Sequence, residues 1–177
     1  LDVLSVLGGN EALAAVSRLA ASSNAEIQQN AVRALGNWPD FAATKTLLAI
    51  AANPKTDPTP CILAIQGIVR LVKSAENVPA QTRLDAALAA MGAARRDEEK
   101  KLVLSALATV PDAKAAAVIK PMLSDAKFQA EAGLAGVDLA ELLLSTDKAA
   151  AKELAQAVKA AGLSREITRR ANSVLNK

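Results

Sequence analysis

The sequence predicts an all-α protein, built as a right-handed α-solenoid of about five antiparallel helix pairs. Of its 177 residues, 41 are Ala and 24 are Leu, and both residue types have high helix propensity. Aromatic residues make up only 2% of the chain, so the strand-favouring aromatic side chains are nearly absent. The third observation is an internal repeat of about 36 residues, a period typical of stacked helical arrays.

The repeat is clearest where the motif ALGNWPD (residues 34–40) recurs as ALATVPD (residues 106–112), at an offset of 72 or two units. Between them, AVRAL (residues 31–35) matches IVRLV (residues 68–72) at an offset of 37. Each unit then has one apolar anchor, and the predicted anchors are Leu7, Leu35, Val72, Leu107, Leu142 and Leu175. Their spacings of 28, 37, 35, 35 and 33 predict units that differ in loop length.

Helix boundaries follow from residues that cap helix starts and from glycines that end helices. The predicted starts use Asn10, Asn24, Asp40, Asp112, Thr59 before Pro60, and Pro79, whereas the predicted stops are Gly8, Gly9, Gly36 and Gly162. Eleven helices result, at residues 1–7, 10–21, 25–36, 41–52, 60–74, 80–94, 98–109, 113–124, 127–144, 148–161 and 165–176. We expect residues 1–177 to form a single repeat domain. Because the chain opens with Leu1 and a short apolar stretch, we expect it to be a segment of a longer chain, cut before Leu1.

Residues 27–36 (IQQNAVRALG), followed by a Pro-Asp turn, resemble the second helix and turn of a HEAT repeat. The similarity is to the short bacterial HEAT-like repeats of the phycobilisome-lyase type, and it is strongest over residues 10–52 and 98–124. The family's Arg is replaced by Gln28, and one of its paired Ala positions is Asn30. The resemblance implies a protein-binding scaffold without catalytic activity, although arrays of this fold serve many roles.

Stacking of helix pairs creates an extended concave surface lined by the second helices. If Ile27, Ala31, Ala34 and Leu35 face the core, the neighbouring positions on that helix and its repeats face a partner. The predicted partner-binding set is Gln29, Arg33, Gln66, Arg70, Lys73, Lys101 and Arg169. This set is mildly basic and suits an acidic peptide or protein surface. The alternative is that these side chains only keep a helix face solvated.

The residues needed for most enzyme chemistry are missing or isolated. There is no His to act as a base or metal ligand, and the single Cys61 is predicted to be a small buried side chain. Asp138 and Glu141 share a helix face, where we expect salt links to neighbouring Lys. We predict Trp38 to cover the end of the core, and Asn30 to be a buried amide with a hydrogen-bond partner. We therefore predict no enzymatic activity, no cofactor and no metal.

Three alternatives to a protein-binding scaffold stay open. The chain could be a structural spacer in a multidomain enzyme, or a weak nucleic-acid-binding module similar to HEAT-like DNA glycosylases. It could also resemble the phycobilin lyases in activity, although no chromophore site is visible. A net charge of +3 makes nucleic acid an unfavoured partner. The sequence shows no membrane span, targeting segment or small-molecule site, so the compartment stays unknown.

Overall fold

The structure is a computed structural model, and it describes residues 9–177. Within that range the chain forms ten α-helices, and no strand occurs in it. The helices are α1 (Asn10–Leu19), α2 (Ala25–Gly36), α3 (Thr44–Ala52), α4 (Pro58–Ser74), α5 (Ala80–Ala93), α6 (Asp97–Leu107), α7 (Ala113–Met122), α8 (Gln129–Leu143), α9 (Lys148–Ala160) and α10 (Arg165–Leu175), with a short 3-10 turn (Phe41–Ala43) before α3. The predicted helix at residues 1–7, the anchor Leu7 and the stop at Gly8 lie outside the described residues.

The all-α class is confirmed, and most helix ends lie within a few residues of their predicted positions. Three predicted caps are confirmed, because Asn24, Asp40 and Asp112 each accept a hydrogen bond from the backbone N–H two residues later. Gly162 ends α9 in the left-handed conformation that glycine favours, with φ at +64°. The predicted starts at residues 10 and 80 are confirmed, although the N-caps there are Gly9 and Pro79. Helix α4 begins at Pro58, two residues before the predicted start at Pro60, and its N-cap is Asp57 instead of Thr59.

Contacts divide the backbone into two compact units, residues 1–99 and residues 100–177. In the described part of the first unit, α2 packs against α4 while α3 packs against both α4 and α5. Helix α1 packs against α2, and a hydrogen bond of 3.0 Å between the hydroxyls of Ser17 and Thr46 joins it to α3. The first unit therefore has two layers, with α1, α3 and α5 in one and α2 and α4 in the other.

The second unit repeats this arrangement on its own. Helix α7 contacts α9 in one layer, α8 contacts α10 in the other, and α9 packs against both α8 and α10. Its core is aliphatic, with Leu104, Leu107, Ile119, Leu139 and Leu143 among the fully buried side chains. Paired helices in two layers are thus present within each unit, and the right-handed solenoid stays a prediction.

Burial corrects the repeat register near the C-terminus. Three predicted anchors are fully buried, namely Leu35, Val72 and Leu107. The predicted anchor Leu142 is wrong, because Leu142 is 44% exposed and Leu143 is the fully buried residue. In α10, Val174 is buried and the predicted Leu175 is only half-buried. In both α8 and α10, the residue that anchors the helix in the core is therefore the direct neighbour of the predicted one.

Helices α2 and α4 meet at a pair of glycines. A Cβ atom on Gly36 would lie 3.3 Å from the Cα of Gly67, and one on Gly67 would lie 2.6 Å from the Cα of Gly36. The second distance is too short for any side chain, so the two backbones touch at this point. Gly36 is the last residue of α2, as predicted, but it does not have a positive φ, since the described glycines with positive φ are Gly9 and Gly162. Close backbone approach is therefore what requires glycine here.

We expect Gly67→Ala to lower the free energy of unfolding by about 1–3 kcal/mol or more, because the added methyl pushes α2 away from α4. The matched control is Gly92→Ala in α5, where a Cβ meets nothing within 4 Å. That change should leave stability unchanged or raise it by up to about 0.5–1 kcal/mol, because Ala is the better helix former. Urea unfolding followed by circular dichroism measures both. Equal effects of the two substitutions would contradict the close contact.

The start of α6 depends on a buried carboxylate. Glu99 is 2% exposed, and it accepts hydrogen bonds from the backbone N–H groups of Arg95 (2.7 Å) and Arg96 (3.2 Å). The Arg96 guanidinium adds a third hydrogen bond at 2.8 Å. Burial by itself would raise the pKa of Glu99, but these hydrogen bonds to the charged form outweigh it and lower the pKa below its ordinary value.

A lowered pKa in the folded state means that ionised Glu99 stabilises the fold above its ordinary pKa of 4.5, and that this stabilisation is lost as pH falls below it. We expect Glu99→Gln to be less stable than the wild type at neutral pH, by about 1–3 kcal/mol. The difference should shrink below pH 4.5, which urea titrations at several pH values will measure. Glu166→Gln is the control, since Glu166 is exposed and accepts no hydrogen bond from a described residue. If both variants follow the wild-type pH curve, the role assigned to Glu99 is wrong.

Candidate functional site

Five of the seven predicted partner-binding residues lie on one face of the first unit, which we call the α2/α4 face: Gln29, Arg33, Gln66, Arg70 and Lys73. The two in α2 are spaced i, i+4, and the three in α4 are spaced i, i+4, i+7, so each group lies along one side of its helix. Arg33, Gln66 and Lys73 are exposed, whereas Gln29 and Arg70 are partly buried. The structure thus brings these five residues onto adjacent helices.

A cleft of about 240 Å³ lies between α2 and α4 on this face. Its polar lining residues include Arg33, Gln66 and Arg70, and Gly36 and Gly67 line it with backbone alone. The remaining lining residues are Asn37 and Leu63, so none of the described residues that line the cleft is acidic. The cleft therefore lies beside the point where the backbones of α2 and α4 touch.

Arg70 is tied to the end of the neighbouring helix. Its Nε donates a hydrogen bond to the carbonyl oxygen of Gly36, and its Nη2 donates one of 2.6 Å to that of Trp38. These carbonyls follow the last turn of α2, where acceptors lack helical partners and a positive charge is favourable. Burial lowers the pKa of the Arg70 guanidinium. Arg70 is therefore a structural residue as well as part of the α2/α4 face.

Arg33 has no such role, although it lies on the same face. Its guanidinium is exposed, and its one described polar contact is a long hydrogen bond of 3.4 Å from Nη1 to Oδ1 of Asn30. Asn30 was expected to be buried and is exposed. The buried side of α2 also differs from the predicted one, because Ile27 is 41% exposed while Val32 is fully buried. Contacts of α2 with helices on several sides widen its buried stripe toward Val32.

Arg70 and Arg33 allow a direct test of these two roles. We expect Arg70→Met to lower the free energy of unfolding by about 1–3 kcal/mol, because it leaves two carbonyl acceptors at the end of α2 unsatisfied. Arg33→Met makes the same chemical change at an exposed position and should alter stability by about 0.5 kcal/mol or less. Urea unfolding of the two variants measures the difference. A destabilisation by Arg33→Met as large as that of Arg70→Met would contradict this division.

The two remaining predicted residues lie in the second unit, on helices that also carry acids. Lys101 is in α6, and its Nζ lies 3.5 Å from a carboxylate oxygen of Glu131 in α8. Arg169 in α10 is exposed. Its neighbour Arg170 binds the carboxylates of both Asp138 (2.7 Å) and Glu141 (2.6 Å).

The expected salt links of Asp138 and Glu141 are therefore present, although their partner is Arg170 and not Lys. The hydrogen bonds from Arg170 lower the pKa of Glu141. In helices with a buried anchor, the residue two positions before it is Arg33, Arg70, Ser105, Glu141 or Asn172. The same repeat position thus carries Arg in both helices of the first unit, whereas in the second unit it is an acid in α8 and uncharged in α6 and α10. The predicted anchor at Leu142 shifted α8 by one residue, and sequence reasoning missed this reversal.

The other residues considered from the sequence are part of the core. Cys61 is 1% exposed, with its sulfur 3.7 Å from the carbonyl oxygen of Ala51, and burial raises the pKa of its thiol. Trp38 is fully buried, as predicted for a residue that covers the core. Among residues 9–177, no three His, Cys, Asp or Glu side chains come together as a metal site. Within the same range, no helix combines the length and apolarity needed to cross a membrane.

Comparison with known proteins does not identify the chain. No family model matches it, and no curated protein matches it either. Membership of the HEAT-repeat family therefore stays a prediction from the residues of the sequence.

Proposed function

We propose that the chain is a non-catalytic protein–protein interaction scaffold, a HEAT-like α-solenoid that binds an acidic protein or peptide on the α2/α4 face. The observation that carries the proposal is the charge of this face. Arg33 and Lys73 form no ion pair with any residue in the described range, and Arg70 contacts only neutral carbonyls there. Three positive charges on two adjacent helices thus lack a negative partner within residues 9–177.

Charge pairing elsewhere in the chain supports this assignment. In the second unit, Lys101 is near Glu131, Lys120 pairs with Glu153, and Arg170 pairs with two carboxylates. Exposed ion pairs contribute little to stability, so pairing is not required for folding. An ion pair does, however, reduce the electrostatic potential at the surface around it. The α2/α4 face has no such pair among the described residues, so its positive potential is not reduced in this way. An unneutralised patch steers an oppositely charged partner during association and favours it over other partners.

Amide groups on the same face suit recognition of a polypeptide. The side chains of Gln29 and Gln66 can each donate and accept hydrogen bonds, which lets them contact a peptide backbone. The face holds no aromatic side chain on which a base could stack, and this disfavours single-stranded nucleic acid. The role of structural spacer predicts no specific binding at all, so a binding experiment separates it from a scaffold.

The test is selection of a random peptide library displayed on phage against the wild-type chain at physiological salt. Enriched clones are then rebound to two double variants. Arg33→Glu/Lys73→Glu reverses two charges on the α2/α4 face. Arg18→Glu/Lys45→Glu makes the same residue changes on α1 and α3, which lie in the other layer of the same unit, and both of its positions are exposed. Arg70 is left intact because of its structural role.

We expect the selection to enrich clones that lose at least about tenfold in affinity for Arg33→Glu/Lys73→Glu, since two attractive charges become repulsive. The same clones should keep wild-type affinity for Arg18→Glu/Lys45→Glu. Circular dichroism establishes that both variants remain folded. Failure to enrich any clone would favour the spacer role. Equal loss in both variants would show that net charge, and not the α2/α4 face, governs binding.

A further inference from the structure

The cleft between α2 and α4 places two cationic groups around a space that is free of side chains. Arg33 comes from α2, Arg70 from α4, and the carboxamide of Gln66 lies one helical turn before Arg70. Gly36 and Gly67, where the two backbones touch, also line this space. A single acceptor group in the cleft could therefore receive hydrogen bonds from two charged guanidinium groups and one neutral carboxamide, which come from two helices.

The charge on Arg70 is compensated only by dipoles. Its guanidinium is partly buried, and its described partners are the carbonyl oxygens of Gly36 and Trp38, with no carboxylate among them. A charged group that is partly buried is usually paired with a group of opposite charge. Two of the guanidinium nitrogens are already used, and Arg33 adds a second positive charge at the same cleft. A negatively charged group placed there would be stabilised by both.

A comparable cleft in the second unit contains its own acid. It measures about 230 Å³ and is lined mainly by Ala and Leu side chains from α7 and α9. Lys120 and Glu153 both line it and form an ion pair, so its cation is already neutralised. The cleft in the first unit has a similar size and two cations, and its described lining includes no acid. None of the described lining residues supplies the negative charge that would neutralise these two cations.

We propose that this cleft binds the carboxylate of a single Asp or Glu side chain of a partner protein, between Arg33 and Arg70 and with Gln66 as a third donor. The proposal rests on the proposed scaffold function and names the group recognised at its centre. Ligand pockets for whole small molecules measure roughly 300–1,000 Å³, so a cleft of about 240 Å³ suits one side chain better than a free metabolite. Planar guanidinium groups match the geometry of carboxylates.

The same cations could attract a phosphate of a nucleic acid, but the surroundings favour a carboxylate. Binding to a nucleic-acid backbone depends on many successive phosphate contacts. The α2/α4 face supplies three cations, and the equivalent position in α8 is the acidic Glu141. A partner protein needs only one acidic side chain at the cleft, with other contacts around it. We therefore assign the site to an acidic side chain.

The experiment uses defined probes in nuclear magnetic resonance titrations of the full chain, observing backbone amides and arginine Nε–H groups. The first probe is an N-acetylated, C-amidated hexapeptide of Glu, and its neutral control is the same peptide of Gln. A DNA duplex of 12 base pairs is the third probe. Gln66→Glu places a negative charge at the cleft, whereas Gln66→Lys adds a positive one at the same exposed position. Neither variant removes a described contact.

With the Glu peptide, we expect shifts confined to the lining of the cleft, at Arg33, Gln66, Arg70 and the backbone of Gly36 and Gly67, and none with the Gln peptide. Affinity should fall about fivefold or more in Gln66→Glu and be retained or increased in Gln66→Lys, because the substitutions change the local charge in opposite directions. Shifts spread equally to Arg18 and Lys45 would overturn the proposal. So would tighter binding of the duplex than of the Glu peptide at physiological salt.

These outcomes are distinct from failure of the proposed function. Peptides selected on phage that need the α2/α4 face, but show no preference for an acidic residue, would retain the scaffold and overturn the carboxylate site. Localised binding of the Glu peptide, combined with no enriched phage clone, would retain the carboxylate site and count against a scaffold.

Discussion

The contact of α2 with α4 at Gly36 and Gly67 is the constraint on which the first unit depends. Because the two backbones touch, α4 passes directly beside the end of α2, and the residue one turn beyond Gly67 is Arg70. From there its guanidinium reaches the carbonyls of Gly36 and Trp38. The glycine pair therefore sets the spacing of the two helices and places Arg70 where it satisfies the end of α2, and both glycines line the cleft.

Arginine also donates hydrogen bonds to backbone carbonyls near the end of another helix in the first unit. Arg95 donates hydrogen bonds to the carbonyls of Asn53 (2.6 Å) and Thr56 (3.0 Å), in the loop that follows α3. The carbonyls at a helix C-terminus lack helical donors, and a guanidinium supplies several donors together with a favourable charge. Some of the basic residues of this chain are therefore structural. A count of surface charges overstates how many are available to a partner, and Arg70 shows that one residue can serve both purposes.

The sequence was sufficient for the helices, because their boundaries depend on local chemistry. Asn24, Asp40 and Asp112 cap their helices through contacts two residues away, and such contacts are visible in the residue order. Which side of each helix is buried was harder to predict, since it depends on the neighbouring helices that surround it. Val32 is buried and Ile27 is exposed for that reason, and Leu143 replaces Leu142 as an anchor. Most residues of the candidate site were predicted from the sequence. The close contact at Gly67 and the hydrogen bonds from Arg70 to the end of α2 were not, because they join segments that are far apart in the chain.

The one-residue shift at α8 changes how the charges of the chain are understood. With Leu142 as the anchor, Glu141 is an ordinary surface acid, whereas with Leu143 it occupies the repeat position held by Arg33 and Arg70. Repetition of a fold thus does not repeat its surface, because a helix pair needs only its buried face to stack on the next. In the second unit Arg170 neutralises this position, while in the first unit the positive charges stay uncompensated among the described residues. A binding specificity that resides in one unit is therefore compatible with the same helix pairing in both.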